Sequence, residues 1–242
     1  MKSLILSDIH ANITALEAVF EDAGDFNAVW VLGDLVGYGP DPNECIERVK
    51  SFPNLVCLIG NHDAATLGHI NDISFNPTAR QAIRWTREMI TAENLDYLRQ
   101  LPESIRFGEI TFAHGSPREP VWEYLLDTRN ATENFNFFYT PYCFVGHTHL
   151  PTIYFLNNGA YHAKLISPEN DTIIRLLPRA IINPGSVGQP RDRDPRAAYA
   201  LLDLDEMTIE FRRVRYDIQA VQERMRKANL PNRHIQRLAD GW

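Results

Sequence analysis

An α/β fold is predicted for this 242-residue chain by two observations. Short β-branched apolar runs alternate with segments of helical periodicity through the first part of the chain, which implies strands interleaved with helices. After residue 150 the pattern changes to closely spaced short strands separated by turn signals, so a second, partly antiparallel sheet is expected.

Taken in order, residues 4–6 form a buried strand, and Ile13, Leu16, Val19 and Phe20 follow at helical spacing until Gly24 stops the helix. Further strands are expected over 28–32, 55–59, 110–113 and 143–145. Between them 76–101 reads as helical in two pieces. Ile83 and Ile90 lie on one face of the first; Leu95, Leu98 and Leu101 mark the second, capped by Thr91. Strands are then expected over 152–156, 160–163, 172–176 and 197–204, with Asn157-Asn158-Gly159 as a turn. Ile218, Val221 and Met225 place a helix near the end. The whole chain, 1–242, is expected to be one domain, with a C-terminal helix and tail from about 215.

An apolar content of 44% is ample for a continuous core. No apolar stretch approaches the roughly 18 residues that a membrane helix needs, and Asp8 interrupts the first too early for a secretory signal. A cytoplasmic protein is expected. Cys45, Cys57 and Cys143 are odd in number and widely spaced, which suggests buried reduced thiols rather than a disulfide framework or a thiolate metal site. The net charge of −7 and pI near 5.6 argue against stable binding of duplex nucleic acid. Arginines recur from Arg212 to Arg237, but Asp217 and Glu223 are interspersed, so a solvated helix face explains them more simply than a nucleic-acid patch.

The chemistry lies where polar residues meet strand ends. Leu4-Ile5-Leu6-Ser7 delivers Asp8 and His10; Val29-Trp30-Val31-Leu32-Gly33 delivers Asp34; Leu58-Ile59-Gly60 delivers Asn61, His62 and Asp63. Ile110-Thr111-Phe112-Ala113 delivers His114, and Phe144-Val145-Gly146 delivers His147 and His149. The carboxyl edge of the strands is where open α/β sheets place their sites. The i, i+2 spacing of Asp8 with His10, and of His147 with His149, turns each pair to one face of an extended chain, so both pairs can grip one metal. Glycine before Asp34, Asn61 and His147 permits tight turns and close approach. Carboxylate, imidazole and amide donors without thiolate suit manganese, iron or zinc.

These blocks, in this order, resemble the calcineurin-like metallophosphoesterases, whose pattern is D-x-H, G-D, G-N-H-[DE], H and G-H-x-H. The run Asn183-Pro184-Gly185-Ser186-Val187-Gly188-Gln189-Pro190-Arg191-Asp192 is similar to the compact bacterial and archaeal branch. The resemblance implies a sandwich of two mixed β-sheets flanked by helices. It implies that Asp8, His10 and His149 hold one metal, that Asn61, His114 and His147 hold a second, and that Asp34 bridges them. Manganese and/or iron are the expected ions, with zinc or nickel as alternatives. It also implies that His62 faces the substrate as a catalytic residue, with Asp63 orienting its ring. Ala11 departs from the glycine that many relatives carry after D-x-H.

Two dications contribute about +4, of which two carboxylates offset roughly half, leaving a cationic pocket in an acidic protein. Phosphate is the natural guest. Such a pair activates a shared water and clamps both oxygens of an in-line displacement, while protonated His62 would serve the leaving oxygen. The leading expectation is hydrolysis of phosphodiester or phosphoanhydride bonds in small nucleotides, dinucleoside polyphosphates among them. The alternatives are a broad phosphomonoesterase and a non-catalytic scaffold. Other residues have two readings each. Asn12 either contacts substrate or caps the first helix; Tyr38 either stacks on a base or shapes the rim; Arg191 either holds a remote phosphate or pairs with an acid such as Asp192. Segments 64–77 and 117–127 are expected to border the pocket, and His69, His162 and His234 to be solvent-facing or structural. Homo-oligomerisation is open at this level.

Overall fold

The computed structural model describes residues 1–242. Strand β1 (Lys2–Leu6) leads through α1 (Ile13–Ala23), β2 (Ala28–Val31), α2 (Pro42–Lys50) and β3 (Leu55–Cys57) to α3 (Asn61–Leu67). Next come α4 (Pro77–Met89), α5 (Ala92–Arg99), β4 (Ser104–Phe107), β5 (Ile110–Ala113), α6 (Thr128–Asn134) and β6 (Tyr142–Phe144). The remaining strands are β7 (Thr152–Phe155), β8 (Lys164–Ile166), β9 (Thr172–Arg175), β10 (Ala180–Asn183), β11 (Ala197–Asp203) and β12 (Thr208–Val214), and the chain closes with α7 (Ile218–Lys227) and α8 (Asn232–Asp240).

Two six-stranded mixed sheets result, in the orders β3-β2-β1-β11-β12-β9 and β4-β5-β6-β10-β7-β8. The parallel trio β1, β2, β3 and the parallel trio β5, β6, β10 run next to each other within their own sheets. Period-two alternation makes the sandwich. Ile5, Trp30, Phe112, Phe144, Ile182 and Leu202 point inward and form the seam between the sheets. Their neighbours Leu4, Leu6, Val29 and Val31 point outward against Leu16 and Val19 of α1 and Ile46 and Val49 of α2. On the other outer face, Cys143, Val145 and Ile181 meet Ala131 and Phe135. Trp30 stands edge-on to Phe112 at 4.9 Å, a pairing that adds about 0.5–1.5 kcal/mol to simple burial.

The two helical pieces expected over 76–101 are present, with the Thr91 hydroxyl accepting from Asn94 N–H as the cap. Residues 160–163 are not a strand; the chain enters the sheet later, at β8. The three cysteines are free and buried. No helix is long and apolar enough to cross a membrane. The tail is more than a solvated face: Val221, Met225, Ile235 and Leu238 pack against Ala65, Ala79 and Ile83. Arg224 ties α7 down through two 2.8 Å bonds to Asp41 and one of 2.7 Å to Thr14 Oγ1.

Candidate metal centre

The segments that follow β1, β2 and β3 in one sheet and β5 and β6 in the other meet in one buried cluster, and all seven expected ligands converge there. The donor atoms of Asp8, His10 and His149 lie within 4.8 Å of one another, as do those of Asp34, His114 and His147, and those of His10, Asp34 and His62. Asn61 joins the second group, its Oδ1 3.1 Å from His114 Nε2.

How each imidazole is held decides what the pocket fits. His10 Nδ1 lies 3.1 Å from the Val36 carbonyl, His114 Nδ1 2.8 Å from that of Leu32, and His147 Nε2 3.1 Å from that of Trp122; His149 Nδ1 meets the Gln189 carbonyl. A carbonyl only accepts, so each of these nitrogens carries the hydrogen and the other must present a lone pair. Those lone pairs face one another. His10 Nε2 and His149 Nε2 are 3.2 Å apart, and His114 Nε2 lies 3.2 Å from His147 Nδ1. Acceptors at that spacing repel unless a cation lies between them. Asp8 Oδ1 adds a buried carboxylate oxygen with no hydrogen-bond donor. The donor set therefore fits two cations, and carbonyl-anchored histidines are the usual outer support of such ligands.

Burial holds His10, His62, His114, His147 and His149 below the ordinary imidazole range, so they are neutral and able to ligate. Burial pushes Asp34 well up, reinforced by the charges of Asp63 and Asp8. Burial acts likewise on Asp8, but His149, His114 and His10 together bring it well below its usual value.

The backbone is unusual here too. Asp8, His10, Asp34, His147 and His149 all have φ between 48° and 66°. Non-glycine residues in that region cost on the order of 1–3 kcal/mol each and persist only where the surroundings enforce them. Close approach explains Gly60 and Gly146: a Cβ on the first would overlap the Asp34 carboxylate, and on the second Ser7 Oγ.

One expected role changes, and other residues are decided between their two readings. Asp63 does not touch the His62 ring; its carboxylate accepts from the N–H groups of Gly60 (2.9 Å), Val36 (3.0 Å) and Leu35 (3.3 Å) and so fixes the β2 and β3 turns. His62 Nδ1 is buried without a partner. Asn12 is a cap, accepting from Ala15 N–H and donating to the Gly188 carbonyl at 3.2 Å. Tyr38 is walled in, its ring centroid 4.3 Å from His62, 4.6 Å from His10 and 4.6 Å from His234, so it is not open to a base. The accessible aromatic is Tyr124, stacked on His147 at 3.7 Å and 43% exposed. Arg191 does not pair with Asp192, which Arg213 takes; it donates to Gln189 Oε1 (3.0 Å) and Tyr38 Oη (3.5 Å). His234 is fully buried. Both expected border segments are in place: Phe75 lies 5.0 Å from His62, and Trp122 and Tyr124 support His147.

A further layer was not singled out from sequence. Ser7 Oγ donates to Asp8 Oδ2 at 2.7 Å, Ser186 Oγ donates to the Asp8 carbonyl at 2.9 Å, and Asn183 Nδ2 donates to the Gly146 carbonyl at 2.6 Å and Thr148 Oγ1 at 3.0 Å. Asn183 carried a signal: like the ligands, it ends an apolar run, Ala180-Ile181-Ile182.

The profile of the calcineurin-like phosphoesterase superfamily domain matches residues 1–207. The chain belongs to this superfamily. A metallophosphoesterase of Sphaerobacter thermophilus is 47% identical, with a TM-score of 0.91 over 100% of this chain and 99% of that one. A protein of Methanocaldococcus jannaschii is 39% identical over 96% of this chain and 95% of its own length. The symmetrical bis(5'-nucleosyl)-tetraphosphatase of Pectobacterium atrosepticum is 27% identical over 36% of this chain and 37% of its own. Calcineurin-like phosphoesterases are metal-dependent hydrolases of phosphate esters, and the lone-pair array described above is the candidate ligand set for a metal in this chain.

Proposed function

We propose that this protein hydrolyses phosphodiester or phosphoanhydride bonds of small nucleotides with two metal ions, manganese and/or iron. One observation carries the reading: four histidines whose N–H groups are committed to backbone carbonyls turn their lone pairs on each other around Asp34. In the proposed arrangement Asp8, His10 and His149 hold one ion, Asn61, His114 and His147 the other, and Asp34 both. Bound there, the ions supply Lewis acidity and an acidified water for in-line attack.

The remaining residues do the rest. His62 lacks the carbonyl anchor that marks the ligand histidines, which suits a ring that holds and releases a proton. It is neutral at rest; an anionic phosphoryl group beside it favours the protonated form, which donates to the leaving oxygen. Phe75 and Tyr38 cover its ring and keep bulk water off it. The tetraphosphatase named for the Pectobacterium relative supports a substrate with linked phosphates, and the reduced cysteines accord with the cytoplasm.

The test is hydrolysis of nucleotides, bis-p-nitrophenyl phosphate and the corresponding monoester by metal-reconstituted protein, with products identified. Diester or anhydride cleavage is expected to dominate, whereas faster monoester cleavage would favour a phosphomonoesterase. His62→Ala is expected to keep its metals and lose ~10²- to 10⁴-fold in turnover; an undiminished rate at full metal content would remove His62 from the chemistry.

A further inference from the structure

His62 is held unlike the other histidines of the centre. Each of those sets one ring nitrogen against a backbone carbonyl, whereas His62 Nδ1 is buried with no hydrogen-bond partner. Its backbone is fixed at the start of α3, where its N–H donates to Asp34 Oδ1 and its carbonyl accepts from Thr66 Oγ1, both at 2.9 Å. The ring beyond that backbone is oriented by packing. Tyr38 lies 4.3 Å from its centroid, tilted by 51°, while Phe75 at 5.0 Å and His10 at 4.9 Å stand edge-on. Backbone closes the Nδ1 side: a Cβ on Gly37 would lie 2.5 Å from that nitrogen.

Two of these walls lean on the C-terminal helices. Tyr38 and Phe75 belong to one buried cluster with Val221 and Met225 of α7 and Ile235 and Leu238 of α8. His234 of α8, fully buried, packs against the Tyr38 ring at 4.6 Å. Tyr38 itself has φ 60°, a conformation that a non-glycine residue keeps only where its surroundings enforce it. Its hydroxyl is tied loosely, by Arg191 at 3.5 Å, so this ring too is placed chiefly by what packs on it. Close-packed side chains transmit displacement, and a shift of α8 reaches His62 through one intervening ring.

We propose that Tyr38 is a positioning residue that sets the ring orientation of His62, and that α8, through His234, keeps Tyr38 in place. For proton donation to the leaving oxygen the inference rests on the hydrolase reading; for the ring orientation it does not. It gives the C-terminal helices, which lie beyond the residues matched by the superfamily profile, a role in turnover. A proton donor has to lie within about 2.6–3.2 Å of the atom it serves. A ring free to turn therefore loses rate where the leaving oxygen needs a proton, as an alkoxide does and a p-nitrophenolate does not.

The p-nitrophenyl and methyl esters of one nucleoside monophosphate differ only in that leaving group, and release of nitrophenol or methanol would be followed with metal-reconstituted wild type, Tyr38→Leu, Tyr38→Phe and His234→Ala. Tyr38→Leu is expected to lose about tenfold in kcat on the methyl ester, a fraction of what a general acid contributes, with KM, metal content and the p-nitrophenyl rate nearly kept. Tyr38→Phe, which retains the ring, should restore the rate, and His234→Ala should show the same selectivity at smaller size. In a His62→Ala background Tyr38→Leu should cost nothing further. Equal losses on both esters, or a full extra loss without His62, would overturn the positioning role, and a silent His234→Ala would remove α8 from it. Side-chain NMR couplings of His62 in zinc-loaded protein read its χ1 without turnover: one rotamer is expected in wild type and averaging in Tyr38→Leu. Should Tyr38→Leu unfold, as circular dichroism would reveal, His234→Ala alone must show the selective loss and the averaging. A wild type without turnover whose couplings average only in the variants would sink the hydrolase reading and leave the positioning standing; normal turnover with couplings and rates untouched by Tyr38→Leu would do the reverse.

Discussion

Ala11 sits at φ 50°, fully buried, directly after His10 at φ 48°. An L-residue there costs roughly 1–2 kcal/mol and glycine almost nothing, while glycine loses roughly 0.5–1 kcal/mol of chain entropy on folding. The balance favours Ala11→Gly by about 0.5–1 kcal/mol, and a melting temperature higher by about 2 °C is the expected result; a lower one would mean that the methyl packs usefully beside the site. Asp34→Asn removes the carboxylate that lies 3.5 Å from both His10 and His114 and is proposed to serve both ions, so elemental analysis should find both metals depleted, and two retained metals would refute the bridge. At this scale the buried cluster was legible because each candidate ligand lies at, or two residues past, the end of an apolar run that closes on a small residue. Their supports were not: Val36, Leu32, Trp122 and Gln189 act through backbone carbonyls, which carry no residue-type signature. Asp63, which the resemblance assigned to orienting the His62 ring, is taken instead by backbone N–H groups.

Among the elements, the loop over 115–127 shows how a rim is kept rigid. Glu123 accepts from Ser116, Arg118, Asn130 and Asn134, and although burial opposes ionisation, these donors, Arg118 foremost, bring it down to about 2. A carboxylate depressed on folding stabilises fully above its unfolded value of roughly 4.3 and loses that contribution as pH falls towards about 2. Thermal melts should therefore show wild type losing stability between those limits more steeply than Glu123→Gln; parallel curves would mean that the network contributes nothing. Element recognition tracked burial. β1, β2, β5 and β11 were legible as apolar runs, and Gly24 ended α1 as expected. Helices α2 and α8 were not, since charged residues crowd their few buried positions, Cys45, Ile46 and Val49 in one and Ile235 and Leu238 in the other.

Across the whole molecule, every proposed ion is gripped from both sheets: Asp8 and His10 with His149, and Asn61 with His114 and His147. Cations that bind only the folded arrangement stabilise it, by about 2.7 kcal/mol per site at a hundredfold excess over Kd. Chelation should lower the melting temperature by several degrees, and readdition of manganese should restore it; an unchanged midpoint would count against ligation across the seam. Two sheets were foreseeable from the change of pattern after residue 150, but their strand orders were not. β1 lies beside β11 and β6 beside β10, neighbours that no local periodicity encodes.

That topology also bears on how the protein is made. A growing chain displays Asp8, His10, Asp34, Asn61 and His62 early, yet the Asp8 carbonyl has no support from Ser186, and β1 no partner on its β11 side, until residues 186 and 197–203 have emerged. The candidate ligands are thus all present by residue 149, well before the strand and the hydroxyl that brace the first of them.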